Sequence, residues 1–189
     1  MKTILFRNTI GEAPADPLSL QIIPDSAVLA NRRPFFVPDF DDKWAYTPAV
    51  AFRISRLGKT IGARFASRYF DAMTLAVRTI PLSLTERLHS EGLACGLECA
   101  FDGALLIGDW IPLPDPYATI DGAIGNCTFT CSLDSLHIDA AIHSVSQYIM
   151  LKMGDIIIPA SIPHTQPLVV NDRLTGTLNG TECLSFKVK

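Results

Sequence analysis

Apolar and polar side chains alternate most clearly over residues 49–55, AVAFRIS, where Val50, Phe52 and Ile54 fall on one side and Ala51, Arg53 and Ser55 on the other. A period of two predicts a strand with one buried face. Residues 71–80, DAMTLAVRTI, alternate in the same way. Short apolar runs at 2–6, 20–23, 34–37 and 104–107, the last extending to 110–113, predict further strands. Prolines at 24, 38, 112, 114 and 116 end them. The runs 118–124 and 127–131 flank Gly125-Asn126 and read as a hairpin. The tail adds strands near 168–170, 174–178 and 183–188, the last with Leu184, Phe186 and Val188 on one side.

Helical spacing is rarer. Residues 63–70 can form a short helix. Residues 84–91 follow a Ser83-x-x-Glu86 capping box and stop at Gly92. A third helix runs from a cap at Ser132 or Asp134 to about Met150, with Ile138, Ala141, Ile142, Val145 and Tyr148 on its inner face. Residues 11–19 are breaker-rich and read as loop. Many short strands with few helices predict a β-rich α+β fold in a single domain, 1–189. Val50, Phe52, Ile54, Ile107, Ile142, Val145 and Ile157 are its expected core.

Composition narrows the function classes. A formal charge of -3 and a pI near 5.7 argue against nucleic acid, which calls for clustered Lys and Arg. No apolar run reaches the ~20 residues of a membrane span, and the N-terminal apolar stretch is too short for a signal peptide, so the expected location is the cytoplasm. The five cysteines then read as free thiols. Two C-x-x-x-C spacings, 95/99 and 127/131, suggest zinc. Cys127 and Cys131 on one strand would be ~13 Å apart, too far to share an ion. The aspartates at 39, 41 and 42 read as a solvated loop rather than a metal loop.

Three blocks carry a resemblance. The first is the strand at 49–55 followed by Gly58-Lys59, a short helix and a strand ending at Arg78. The second is FDGALLIGDWIPL, with Phe101, Asp102, Ile107, Gly108, Trp110 and Ile111 in register with F-D-x-x-x-P-I-G-P-W-I. The third is the helix, connector and strand around Leu151-x-x-Gly154-Asp155-x-Ile157. In this order they resemble the fumarylacetoacetate hydrolase family, and the resemblance implies its mixed β-roll with a few helices. It also implies metal-assisted chemistry. Two Glu and one Asp would hold magnesium or another divalent cation, which grips the oxygens of a β-dicarbonyl or 2-oxo acid and stabilises an enolate.

Carried over residue by residue, the resemblance places the two Glu at Thr47 and Ala49 and the Asp at Thr74. The family's lysines fall on Cys99 and Val37. Its N-Y-x-x-H keeps Asn8 but has Thr9 and Glu12, and its Thr-Gly-Thr loop becomes Pro159-Ala160-Ser161. No carboxylate lies between Tyr46 and Arg64, so no small slip restores a Glu. Hard oxygen ligands are what such a cation requires, and no metal or other cofactor is expected.

The candidate pocket residues are therefore Thr47, Ala49, Thr74, Arg78, Cys99 and Ser161. Arg78 can bind a substrate anion through its fork or be a paired structural residue. Asp71 sits at an odd offset from Thr74 and reads as structural. Ser161 with His164 could make a nucleophile pair only by proximity. His137 and His143 do not share a helix face, and Asp155 reads as a turn pin. The leading expectation is a family member that has lost its metal site, impaired or non-enzymatic, binding a small anion. One alternative is an active hydrolase or decarboxylase of acylpyruvate-like 2-oxo acids with ligands from unexpected positions such as 39–42. The other is an inactive structural subunit pairing with an active relative. A homodimer is expected, since family members pair and a mean hydropathy of +0.26 leaves apolar surface to cover.

Overall fold

The computed structural model describes residues 1–12, 16, 19–115 and 118–189. Most of the loop expected over 11–19, and Pro116, lie outside the described residues. In chain order the strands are β1 (Lys2–Phe6), β2 (Leu20–Pro24), β3 (Val28–Ala30), β4 (Trp44–Ile54), β5 (Phe70–Pro81), β6 (Leu105–Ile107), β7 (Ile111–Pro112), β8 (Ile120–Ile124), β9 (Cys127–Cys131), β10 (Ile156–Ile158), β11 (Gln166–Pro167), β12 (Arg173–Leu178) and β13 (Thr181–Lys187). The helices are α1 (Leu82–Ser90), α2 (Leu97–Ala100) and α3 (Ile138–Tyr148). A 3-10 turn over Ala63–Arg68 takes the place of the short helix expected at 63–70. The β-rich α+β class expected from the sequence is the class observed. None of the described helices is long and apolar enough to cross a membrane.

One mixed sheet runs β2-β1-β10-β4-β5-β6-β3, with β11 beside β4 and β7 beside β5; a second runs β13-β12-β8-β9. The antiparallel pair β4–β5 is the axis of the first sheet, in register from Trp44↔Pro81 to Ile54↔Phe70. Its alternation creates two different faces. Val50, Phe52 and Ile54 with Met73, Leu75 and Val77 enter the larger core, where Ile120, Ile124, Leu178, Leu184 and Phe186 of the second sheet and Ile138, Ile142 and Val145 of α3 meet them. The other face is floored by small side chains, Ala49, Ala51 and Ala76, and packs on Leu5, Ile23, Leu105, Ile107 and Cys99. All seven expected core residues are buried.

The recurring glycines have local reasons. A Cβ on Gly108 would stand 2.4 Å from the Cys183 carbonyl oxygen and 2.7 Å from Thr74 Oγ1, so the chain passes there only without a side chain. Gly154 has φ +85° and delivers Asp155 to its turn. The buried Asp155 carboxylate accepts from Lys152 N at 2.8 Å and Lys2 N at 3.1 Å and pairs with the Lys2 ammonium. The expected turn pin thus also ties the N-terminus to β10.

Several boundaries differ from the sequence reading. Residues 34–37 form no strand beyond a bridge from Phe35 to Val188. The strand expected at 168–170 is replaced by the two-residue β11 at Gln166–Pro167. Helix α3 begins at Ile138 after His137 in the left-handed region, because Ser132 and Ser135 hydrogen-bond to each other's backbone in a turn of their own. Helix α1 begins at Leu82 without a side-chain bond from its own N-cap, so Ser83 does not cap it.

The cap arrives from the aspartate loop instead. Asp41 is buried, and its carboxylate accepts from Leu84 N at 2.7 Å and Lys43 N at 2.9 Å. Burial alone would raise its pKa, but the N–H groups of Leu84, Lys43 and Ser83 hold it below the usual carboxylate value. A depressed folded pKa gives stability that is present above the unfolded value and is lost as pH falls through the folded one. Asp41→Ala is expected to cost about 1 kcal/mol at neutral pH. In urea melts the gap between the two proteins should narrow as the pH is taken below the ordinary aspartate range; a gap that widens on acidification would reject this.

Candidate active site

The register of β4 and β5 decides which sequence candidates meet. Thr47 is opposite Arg78, Ala49 opposite Ala76 and Ala51 opposite Thr74. Alternate residues share a face, so Thr47, Ala49, Thr74 and Arg78 all lie on the alanine-floored side. Ser161 bridges Ala49 on one side and Thr9 on the other, donating from its N to Asn8 O at 2.7 Å and accepting from Ile10 N at 3.0 Å. Helix α2 brings Cys99 over the same side.

The centre of this face is a residue the sequence reading passed over. Glu98 is wholly buried, and its Oε1 accepts from Arg7 and Gln21, with Arg78 Nη2 at 3.6 Å. Its Oε2 makes no hydrogen bond among the described residues and faces His89 Nε2 at 3.2 Å. Glu98 was missed because its arginine partners lie 20 and 91 positions away, at Arg78 and Arg7. The one available signal was a lone acid within an otherwise small and apolar segment, Gly96 to Ala100.

Two arginines against one carboxylate leave a net positive charge in a poorly solvated place. Burial holds the Arg78 pKa below its usual value; Glu98 offsets this only in part, and Arg7 adds to it. Arg78 Nε is buried and has no hydrogen-bond partner among the described residues. Burial, then the negative charge of Glu98, raises the Cys99 thiol, against the opposing pull of Arg78 and Arg7. Cys99 is thus a neutral thiol and a weak nucleophile. A cavity of about 580 Å³ opens beside the cluster, lined by Arg7, Gln21, Cys95 and Cys99.

The three positions that the resemblance gives to metal carboxylates do not fit a hard cation. Thr47 Oγ1 lies 3.2 Å from Thr165 Oγ1, Ala49 has no donor, and Thr74 Oγ1 donates to Asp109 O at 2.8 Å. Other sequence candidates have structural duties. Asp71 grips the Arg53 guanidinium at 2.9 and 3.1 Å, reaching it because a bulge interrupts the register between Arg53 and Ile54. His164 contacts the Gln166 amide, and Glu12 accepts from Thr9 N at 2.8 Å. His143 Nδ1 meets Ile61 O at 2.7 Å. Cys127 and Cys131 stand four residues apart on β9, with burial pushing both thiols up, Cys131 to about 11.

No family model matches the chain. It is 22% identical over 192 residues to the mitochondrial oxaloacetate tautomerase FAHD1 of Mus musculus, covering 97% of this chain and 85% of that protein. The fold is shared with fumarylpyruvate hydrolase from Pseudomonas aeruginosa in complex with Mn2+ and pyruvate, at TM-score 0.80 and 18% identity over 99% of this chain and 88% of that one. It is also shared with 5-carboxymethyl-2-hydroxymuconate delta-isomerase from Mycobacterium smegmatis, at TM-score 0.81 and 18% identity over 99% and 78%.

These findings overturn the expectation that no metal would be held. A protein of the same fold is a manganese–pyruvate complex. In this chain His89, Cys95 and Glu98 bring donor atoms within 4.8 Å of one another. The expectation failed because it considered only the positions of the family's own carboxylates, while these donors come from α1, α2 and the turn between them. The three ordered sequence blocks, a relative matched over nearly the whole chain and the shared fold all make the chain similar to the fumarylacetoacetate hydrolase family.

Proposed function

We propose that this chain binds a small 2-oxo acid on the alanine-floored face, through Arg78 and Arg7, and turns it over poorly or not at all. The observation that carries this reading is the pair of arginines, Arg7 and Arg78, on the buried Glu98 carboxylate, with one charge in excess and Arg78 Nε without a partner among the described residues. A guanidinium fork offers paired donors in the plane that a carboxylate needs. The relatives support this substrate class: one is an oxaloacetate tautomerase and another a fumarylpyruvate hydrolase in complex with pyruvate. Impaired turnover follows from Thr47, Ala49 and Thr74. Neutral hydroxyls and a methyl group stand where the resemblance implies carboxylates, and the thiol of Cys99 stands where it implies a lysine.

Calorimetry with oxalate, pyruvate and oxaloacetate tests the reading. Oxalate, which presents adjacent carboxylates, should bind the unaltered protein with a measurable Kd. Arg78→Lys keeps the charge but loses the fork, and should weaken binding by about tenfold, the 1–2 kcal/mol of a charge-assisted hydrogen bond. Arg7→Ala, at a half-exposed position, should weaken it without unfolding the protein. Absence of heat with all three acids, or equal affinity in Arg78→Lys and Arg7→Ala, would reject it.

A further inference from the structure

We propose that His89, Cys95 and Glu98 form a binding site for a thiolate-preferring divalent transition metal of the zinc class. The site goes beyond the anion reading and does not depend on it. Its three donors fall within ten residues, so little chain entropy is lost in gathering them. His89 lies in the last turn of α1. Gly92, at φ +64°, ends that helix, and Leu93 N donates back to Leu88 O at 2.8 Å, which turns the chain so that Cys95 returns beside His89. Helix α2 follows at once and supplies Glu98.

An independent observation points to a ligand. Glu98 is wholly buried, yet its Oε2 makes no hydrogen bond among the described residues. With His89 Nε2 at 3.2 Å beside it, that buried oxygen is left under-satisfied, and an ion held between the two groups would satisfy both. Arg7 and Gln21 hold Oε1, so the carboxylate is fixed with Oε2 turned toward His89 Nε2, 3.2 Å away. Metal–nitrogen and metal–oxygen bonds of about 2.0–2.2 Å set a tetrahedral donor–donor edge of about 3.3–3.5 Å. The wider separations in the group, all within 4.8 Å, close by small rotations of the half-exposed His89 and Cys95. Cys95 also lines the neighbouring cavity, which has room for a water as a fourth ligand.

The neighbouring charges choose the ion. Arg7 and Arg78 partly neutralise Glu98, which penalises a cation that depends on carboxylate charge alone. Magnesium is such a cation and also keeps its water shell. A zinc-class ion gains a thiolate instead: Cys95 Sγ releases its proton to solvent as the metal–sulfur bond forms.

Metal-stripped protein titrated with Co2+ tests the site. One equivalent should bind, with a thiolate-to-cobalt charge-transfer band, and Zn2+ should displace it. Cys95→Ser should abolish the band, and His89→Ala should weaken affinity by more than the roughly 10–100-fold that losing an outer partner costs. Both variants change partly exposed side chains, so the fold should survive, which circular dichroism checks. Cys127→Ser should leave the band in place, and Mg2+ should not compete. Absence of a charge-transfer band, or a band and affinity that persist in both Cys95→Ser and His89→Ala, would overturn the proposal.

Discussion

Glu98→Ala is expected to destabilise the protein by about 3–5 kcal/mol, the range for removing one partner of a buried ion pair. The cause is what the substitution strands. Arg78, whose side chain is 18% exposed, would keep its charge without a counter-ion, and Gln21 would lose its acceptor. Arg7 is 39% exposed and can turn to water, which limits the cost. The urea midpoint should fall with the slope nearly unchanged. The loss should be concentrated in the unpaired charge, so Glu98→Met combined with Arg78→Met should be more stable than Glu98→Met alone. An unchanged midpoint in Glu98→Ala, or a double variant no better than the single one, would show that the cluster is not a stability element.

Phe52→Ala should cost about 3–5 kcal/mol, the range for emptying a buried aromatic site. Phe52 is fully buried on β4, opposite Met73 on one neighbouring strand and Ile157 on the other, with its ring 5.5 Å from that of Phe70 in an edge-to-face contact. Strands on both sides hold the backbone, so the void cannot collapse. An unaltered midpoint would mean that the β4 register is wrong, and with it the placement of Thr47 and Ala49. Glu98→Ala and Phe52→Ala probe opposite faces of the same sheet. Only Glu98→Ala should also alter binding of a 2-oxo acid.

Much of the scaffold was legible because its signals are local. The period of two across 49–55 and 71–80 gave β4 and β5, and Gly92 marked the end of α1. The Gly154-Asp155 turn, and Gly108 beside Trp110, are places where backbone geometry demands the residue present. Errors fell where a distant partner takes over a local job. Asp41 caps α1 from more than forty positions away, so the nearer Ser83-x-x-Glu86 pattern misled. A bulge gave Asp71 a partner that strict alternation would not give it.

The β-rich class, the buried face of β4 and the family resemblance could all be read from the sequence alone. Period and turn chemistry act over a few residues, and no tertiary contact is needed to read them. Where charge is buried emerged only on folding. Glu98 matters because β1 brings Arg7, β2 brings Gln21, β5 brings Arg78 and α1 brings His89 to one point. The electrostatic worth of a carboxylate depends on the distance to its neighbours and on the water excluded around it, and folding sets both.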